Sequence, residues 1–139
     1  MDWKICAIDD LRRYKQMKVG VLNSKDRLRL VSQAAVSPRS SLSKQNPANN
    51  PNLINAIVEK EKLSSNIKSV EKLLKLIERG LDSLNDEDRT LLEKFYMSDS
   101  PAKIRHLSDE FGYEPRSLYR KRERALARFT LAMYGLEIS

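Results

Sequence analysis

The chain has little of what builds disulfide scaffolds, metal centres or membrane spans. Of its 139 residues one is cysteine and one is histidine. A lone Cys6 forms no intrachain disulfide, and a reducing cytosol is the compartment this implies. His106 has no cysteine or carboxylate at ligand spacing, so no metal site is expected and no Ser/His/Asp arrangement can be assembled around it. The four glycines, Gly20, Gly80, Gly112 and Gly135, are scattered, which excludes a phosphate-binding loop and a dinucleotide fingerprint alike. No apolar run approaches the roughly 20 residues that span a bilayer. The N-terminus MDWKICAIDD sets acids where a signal peptide needs an apolar core. The expectation is a soluble, cytoplasmic protein that is not an enzyme, carries no cofactor and has no membrane partner.

Charge is what the chain has in quantity. Lysine and arginine number 26 against 19 acids, a net charge of +7. The excess is uneven: acids cluster at Asp86–Asp88, and the basic run lies at Arg116–Arg128. That distribution favours a polyanion as partner.

Helical periodicity runs through most of the sequence. Over residues 1–35, Ile5, Ile8, Leu11, Met17, Val21, Leu28 and Val31 recur at near-helical spacing. Gly20 weakens the centre by roughly 1 kcal/mol relative to alanine, and Asn23 or Ser24 would cap a fresh helix near Lys25, so a break is an alternative to one continuous helix. Residues 36–50, VSPRSSLSKQNPANN, bury too little apolar surface to offset their ordering entropy and read as a flexible linker. Residues 51–84 read as one long helix, with Asn50 as its cap and Pro51 as its start. Ala56, Leu63, Val70, Ile77 and Leu84 lie seven apart, with Ile67, Leu74 and Leu81 interleaved, an a/d seam broken only at Lys60. Two uses of that seam stand open. It packs on helix 1–35 as a hairpin, or it joins two chains as a homodimer through Ala56–Leu84.

Residues 85–139 end the chain as three helices. Asn85 caps the first, with Asp86, Glu87 and Asp88 on its positive dipole end and Leu91, Leu92, Phe95 and Tyr96 as its buried face. Ser100 and Pro101 suit the start of the second, whose stripe is Ile104, Leu107 and Phe111. Gly112 stops it, as glycine takes the left-handed conformation without a Cβ penalty. Pro115 opens the third, although Glu114 is a mediocre cap, and Gly135 closes it after Tyr134. Leu118, Ala125, Leu126 and Phe129 point inward, while Arg116, Arg120, Lys121, Arg122, Arg124 and Arg128 occupy the other faces against a single Glu123. A tight turn joining two such helices is a helix-turn-helix, and its second helix is laid out as one that enters a major groove.

The stretch LxxEFGYxxRSLYRxRxRAL (Leu107–Leu126) resembles region 4 of bacterial primary sigma factors, in the variant carried by small phage-encoded regulators of the ArpU and RinA type. LNDEDRTLLEKFY (Leu84–Tyr96) is similar to the helix that precedes the motif in those families. The resemblance is specific over Leu84–Phe129. Leu107-Ser108 departs from the usual small-Ala pair, and Lys121 stands where many relatives are apolar. The fold class expected is all-α, a long N-terminal helical hairpin or coiled coil followed by a trihelical helix-turn-helix domain. The partner expected is double-stranded DNA. Arg116 and Arg120 are the candidates for base edges, with Ser117 and Tyr119 beside them, and Lys103, Arg122, Arg124 and Arg128 for phosphates. The resemblance implies activation of a late gene set in a bacterial host. Two further classes remain: a small terminase-like packaging subunit, and an adaptor that binds RNA polymerase or a sigma factor through the acidic helix Asn85–Tyr96.

Overall fold

The computed structural model describes residues 2–35, 51–98 and 104–135, and every element among them is helical. In order they are α1 (Trp3–Ala35), α2 (Pro51–Asp82), α3 (Asp86–Leu92) with a π-helical run Glu93–Met97, α4 (Ile104–Phe111) and α5 (Pro115–Tyr134). The all-α architecture expected from periodicity is the one found. The linker at 36–50, the caps at Asn50, Ser100 and Pro101, and Lys103 lie outside the described residues.

α1 is unbroken across Gly20, Asn23 and Ser24. The Asp2 carboxylate starts it by accepting the N–H groups of Lys4 at 3.0 Å and Ile5 at 3.3 Å. A glycine in mid-helix costs about 1 kcal/mol, too little to interrupt a helix whose apolar stripe continues on both sides.

The chain forms two compact units, each taking part of both long helices. The first comprises Met1–Gln16 with Leu74–Ser139. Its core joins Ala7 and Leu11 of α1, Ile77 and Leu81 of α2, Leu91 and Leu92 of α3, and the buried face of α5. α2 and α5 approach closely at Gly80, where an added Cβ would sit 3.0 Å from the Phe129 ring and 3.3 Å from the Met133 sulfur. Tyr14 of α1 donates its hydroxyl hydrogen to Glu78 of α2 at 2.6 Å. Trp3 packs on Tyr134 with ring centroids 4.9 Å apart, and Tyr134 donates to the buried carboxylate of Asp10.

The second unit, Met17–Leu73, pairs the C-terminal half of α1 with the N-terminal half of α2, as the legs of a hairpin pair. Gly20, Val21 and Ser24 face Asn66, Ile67 and Val70 across a small cavity of about 130 Å³, and Lys25 meets Glu71 at 3.5 Å. Half of the heptad seam is buried within the chain, and Ala56, Leu63, Val70 and Leu84 are half-buried. Ile67 is buried in this unit, and Leu74, Ile77 and Leu81 are buried in the other. Ile54, Ile57 and Val58, which lie off the seam, stay exposed. No described helix is long and apolar enough to cross a membrane.

Within the described residues, the caps at Asn85, Gly112 and Gly135 fall where expected. Asn85 Oδ1 accepts the Asp88 N–H at 2.8 Å, and Gly135 is left-handed at φ 68°. Gly112 is left-handed at φ 72°, its N–H reaching the Ser108 carbonyl at 2.9 Å, while the Ser108 hydroxyl donates to the Tyr113 carbonyl. Leu91, Leu107 and Leu118 form the common core, with Phe95, Ile104, Phe111 and Tyr113 packed against it. The π-helical run is what periodicity did not foresee. Phe95 joins that core, while its neighbour Tyr96, with ring centroid 6.2 Å away, lies under the Arg12 guanidinium of α1 at 5.7 Å.

Candidate nucleic-acid interface

α5 carries the candidate surface, and helix geometry sorts its cations. Leu118, Ala125, Leu126, Phe129 and Thr130 are buried and define the inner face. Thr130, an unexpected member of that set, satisfies its hydroxyl by donating to the Leu126 carbonyl at 2.7 Å. Arg116, Arg120 and Arg124 lie four residues apart on the opposite side, so their Cα atoms climb about 6 Å per step along one stripe. All three are exposed, and none has an acidic partner among the described residues. With Tyr119 and Glu123 they line an open concavity of about 570 Å³. Ser117 is half-buried beside Leu118, and Tyr119 is 44% exposed on the rim of the concavity.

The other basic residues of α5 are held within the chain. Arg122 lies four residues after Leu118 and so turns toward the interior. Its guanidinium sits 5.1 Å from the Phe95 ring centroid and 5.0 Å from that of Tyr119, between the two. Its Nε is buried without a partner, and the two ring faces offset that desolvation. Its Nη2 reaches Glu123 at 3.2 Å. Arg128 points to α3 and donates from Nη1 to Asp88 Oδ2 at 2.5 Å. Both are candidates for phosphate contact, and both make contacts within the chain. Lys121, also on the α3 side, meets Glu87 at 3.3 Å with its ammonium 4.3 Å from the Tyr113 ring centroid. Those contacts, the Glu87 hydrogen bond first, raise its pKa. Lys121 thus ties α5 to α3 and to the turn.

Glu123 is the one acid on α5. Lys4 of α1 donates to its Oε2, and this bond, ahead of the opposing effect of burial, lowers the carboxyl pKa below its ordinary value. Glu123 is therefore ionised at neutral pH. Nothing in the local pattern signals a partner 119 residues away. Arg122, by contrast, had a signal in its spacing from Leu118.

Two of the three acids of α3, and the acids flanking it, are likewise engaged. Besides Glu87 with Lys121 and Asp88 with Arg128, Glu93 accepts from Arg89 at 3.0 Å, and Arg89 reaches Asp82 at 2.6 Å. Lys94 pairs with Glu110, tying the π-helical run to α4. His106 is exposed on α4, a surface residue. No family model, curated protein or solved structure matches the chain, so the interface rests on its own geometry.

Proposed function

We propose that the chain is a sequence-specific double-stranded DNA-binding protein that regulates transcription, with α5 lying in the major groove. The observation that carries this is the stripe of Arg116, Arg120 and Arg124, exposed, without acidic partners among the described residues, and opposite the buried face of a helix entered through a glycine turn. Guanidinium groups in the first turns of such a helix reach base edges, and later ones meet phosphates. Arg116 and Arg120 take the first role, flanked by Ser117 and Tyr119, and Arg124 the second. The resemblance to phage regulators extends this to a late-gene activator working in the cytoplasm of a bacterial host. A polymerase-binding adaptor draws less support, because two of the three α3 acids that would serve it, Glu87 and Asp88, are paired with Lys121 and Arg128.

The test is titration of a labelled random-sequence duplex over a series of salt concentrations. Each phosphate neutralised contributes a slope of about −0.9 in log K against log salt, so Arg124, the one stripe arginine assigned to phosphate, contributes roughly −1, where six basic residues all on phosphates would give roughly −5. Absence of binding at low salt, or a slope near zero, would overturn the proposal.

A further inference from the structure

A carboxylate on a phosphate-facing surface weakens binding to every DNA sequence alike, so its presence there needs a reason. Glu123 lines the concavity together with Arg116, Tyr119, Arg120 and Arg124. It is not buried away from that surface, and it is held from two sides. Lys4 donates to Oε2 and Arg122 to Oε1, each taking one of the roughly four lone-pair sites that a carboxylate offers. The remaining acceptor capacity belongs to a group whose position is restrained by α1 and by a neighbour itself clamped between Phe95 and Tyr119.

An acceptor-only group in the major groove recognises an exposed base amino group, and two bases present one there. Adenine sets its N7 acceptor beside N6, which repels a carboxylate. Cytosine presents N4 with no acceptor alongside. Resting on the DNA-binding reading above, we propose that Glu123 reads a cytosine N4 amino group, and that Lys4 is its positioning residue. The N-terminal helix α1 would then set one base preference of a recognition helix that begins 112 residues later in the chain. Arg120, one turn before Glu123, stands next to that base step and suits guanine O6 and N7.

The experiment is selection of bound duplexes from a random pool by the full chain, as wild type, Glu123→Gln and Lys4→Met. Wild type should recover a site with cytosine at one position favoured about tenfold or more. Glutamine has nearly the same shape but offers both a donor and an acceptor, so Glu123→Gln should move that one position from cytosine to adenine. Lys4→Met should blur the same position and leave the others as they were. Melting curves matching wild type would show that neither change acts through unfolding. If wild type selects a site and both variants select the same one, with Glu123→Gln binding every duplex more tightly, Glu123 is only a repulsive charge and the assignment falls alone. If wild type retains no duplex, the DNA-binding reading falls and this assignment with it.

Discussion

Replacing Arg128 by alanine should cost stability while leaving DNA binding almost untouched. Asp88 is 8% exposed, and its Oδ2 receives the 2.5 Å hydrogen bond from Arg128. Without that cation the carboxylate keeps only the dipole of the α3 N-terminus. Orphaning a fully buried charge costs about 3–5 kcal/mol. Arg128 itself is 59% exposed, however, and the pair opens onto a surface depression shared with Ser83, Leu84 and Leu131, so water reaches the orphan. Discounting for that solvation leaves about 1–2 kcal/mol. For a chain of this size that is a fall in Tm of roughly 3–6 °C, read by circular dichroism. A double-mutant cycle with Asp88→Asn should return a coupling of about 1 kcal/mol, because the two groups touch. The salt slope of duplex binding should stay as in wild type. An unchanged Tm with a slope reduced by about one unit would refute the reasoning, since Arg128 would then be spending its charge on a phosphate.

Arg116→Ala should relax preference at one or two base positions with little change on random duplex, whereas Arg124→Ala should weaken both and lower the salt slope by about one unit; competition titrations at two salt concentrations separate them. Gly20→Ala should raise stability by about 0.5–1 kcal/mol, since helix propensity improves and the new methyl meets nothing within 4 Å. Gly80→Ala should give no gain or a loss, because its methyl would press at 3.0 Å on the fully buried Phe129 ring; equal gains in thermal unfolding would show that α2 and α5 can give way. Burial first, and the bond to Glu78 second, push the Tyr14 phenol up to about 12 from its ordinary 10.0. The stability this contributes is complete below pH 10 and lost as pH rises through about 12, so Tyr14→Phe should flatten the decline of Tm across that window.

What could be read from the sequence was whatever depends on near neighbours. Gly112 and Gly135 ended helices where a left-handed residue was needed, Asn85 capped where its side chain reached three residues on, and the buried faces of α4 and α5 followed three- and four-residue spacing. The continuity of α1 was harder to read. Gly20 and the cap-like Asn23 and Ser24 argued locally for a break, while the partner that keeps the helix whole lies beyond the linker. Least accessible were pairings across the chain. Lys4 with Glu123 and Asp88 with Arg128 join segments 119 and 40 residues apart, and no periodicity relates them.

For α5 this distinction decides which arginines stay clear of the rest of the chain. A cation run counted along the sequence offers Arg116, Arg120, Lys121, Arg122, Arg124 and Arg128 to phosphates equally. Counted around the helix, the run divides into three classes. Arg122 falls on the side of Leu118 and Ala125, where a guanidinium is tolerated because aromatic faces cover it. Lys121 and Arg128 fall on the side of α3, whose first-turn acids Glu87 and Asp88 both complement its dipole and receive them. Only Arg116, Arg120 and Arg124 remain on the open side. The acids at Asp86–Asp88 and the basic run at Arg116–Arg128 are therefore partly one feature: α3 and α5 neutralise each other along their shared edge. What is left over is narrow, a single stripe with one restrained carboxylate beside it. On the proposed DNA-binding reading, a narrow stripe suits reading a few base edges better than blanketing a backbone, because each neutralised lysine or arginine would remove affinity common to all sequences while the free ones would keep base-dependent contacts.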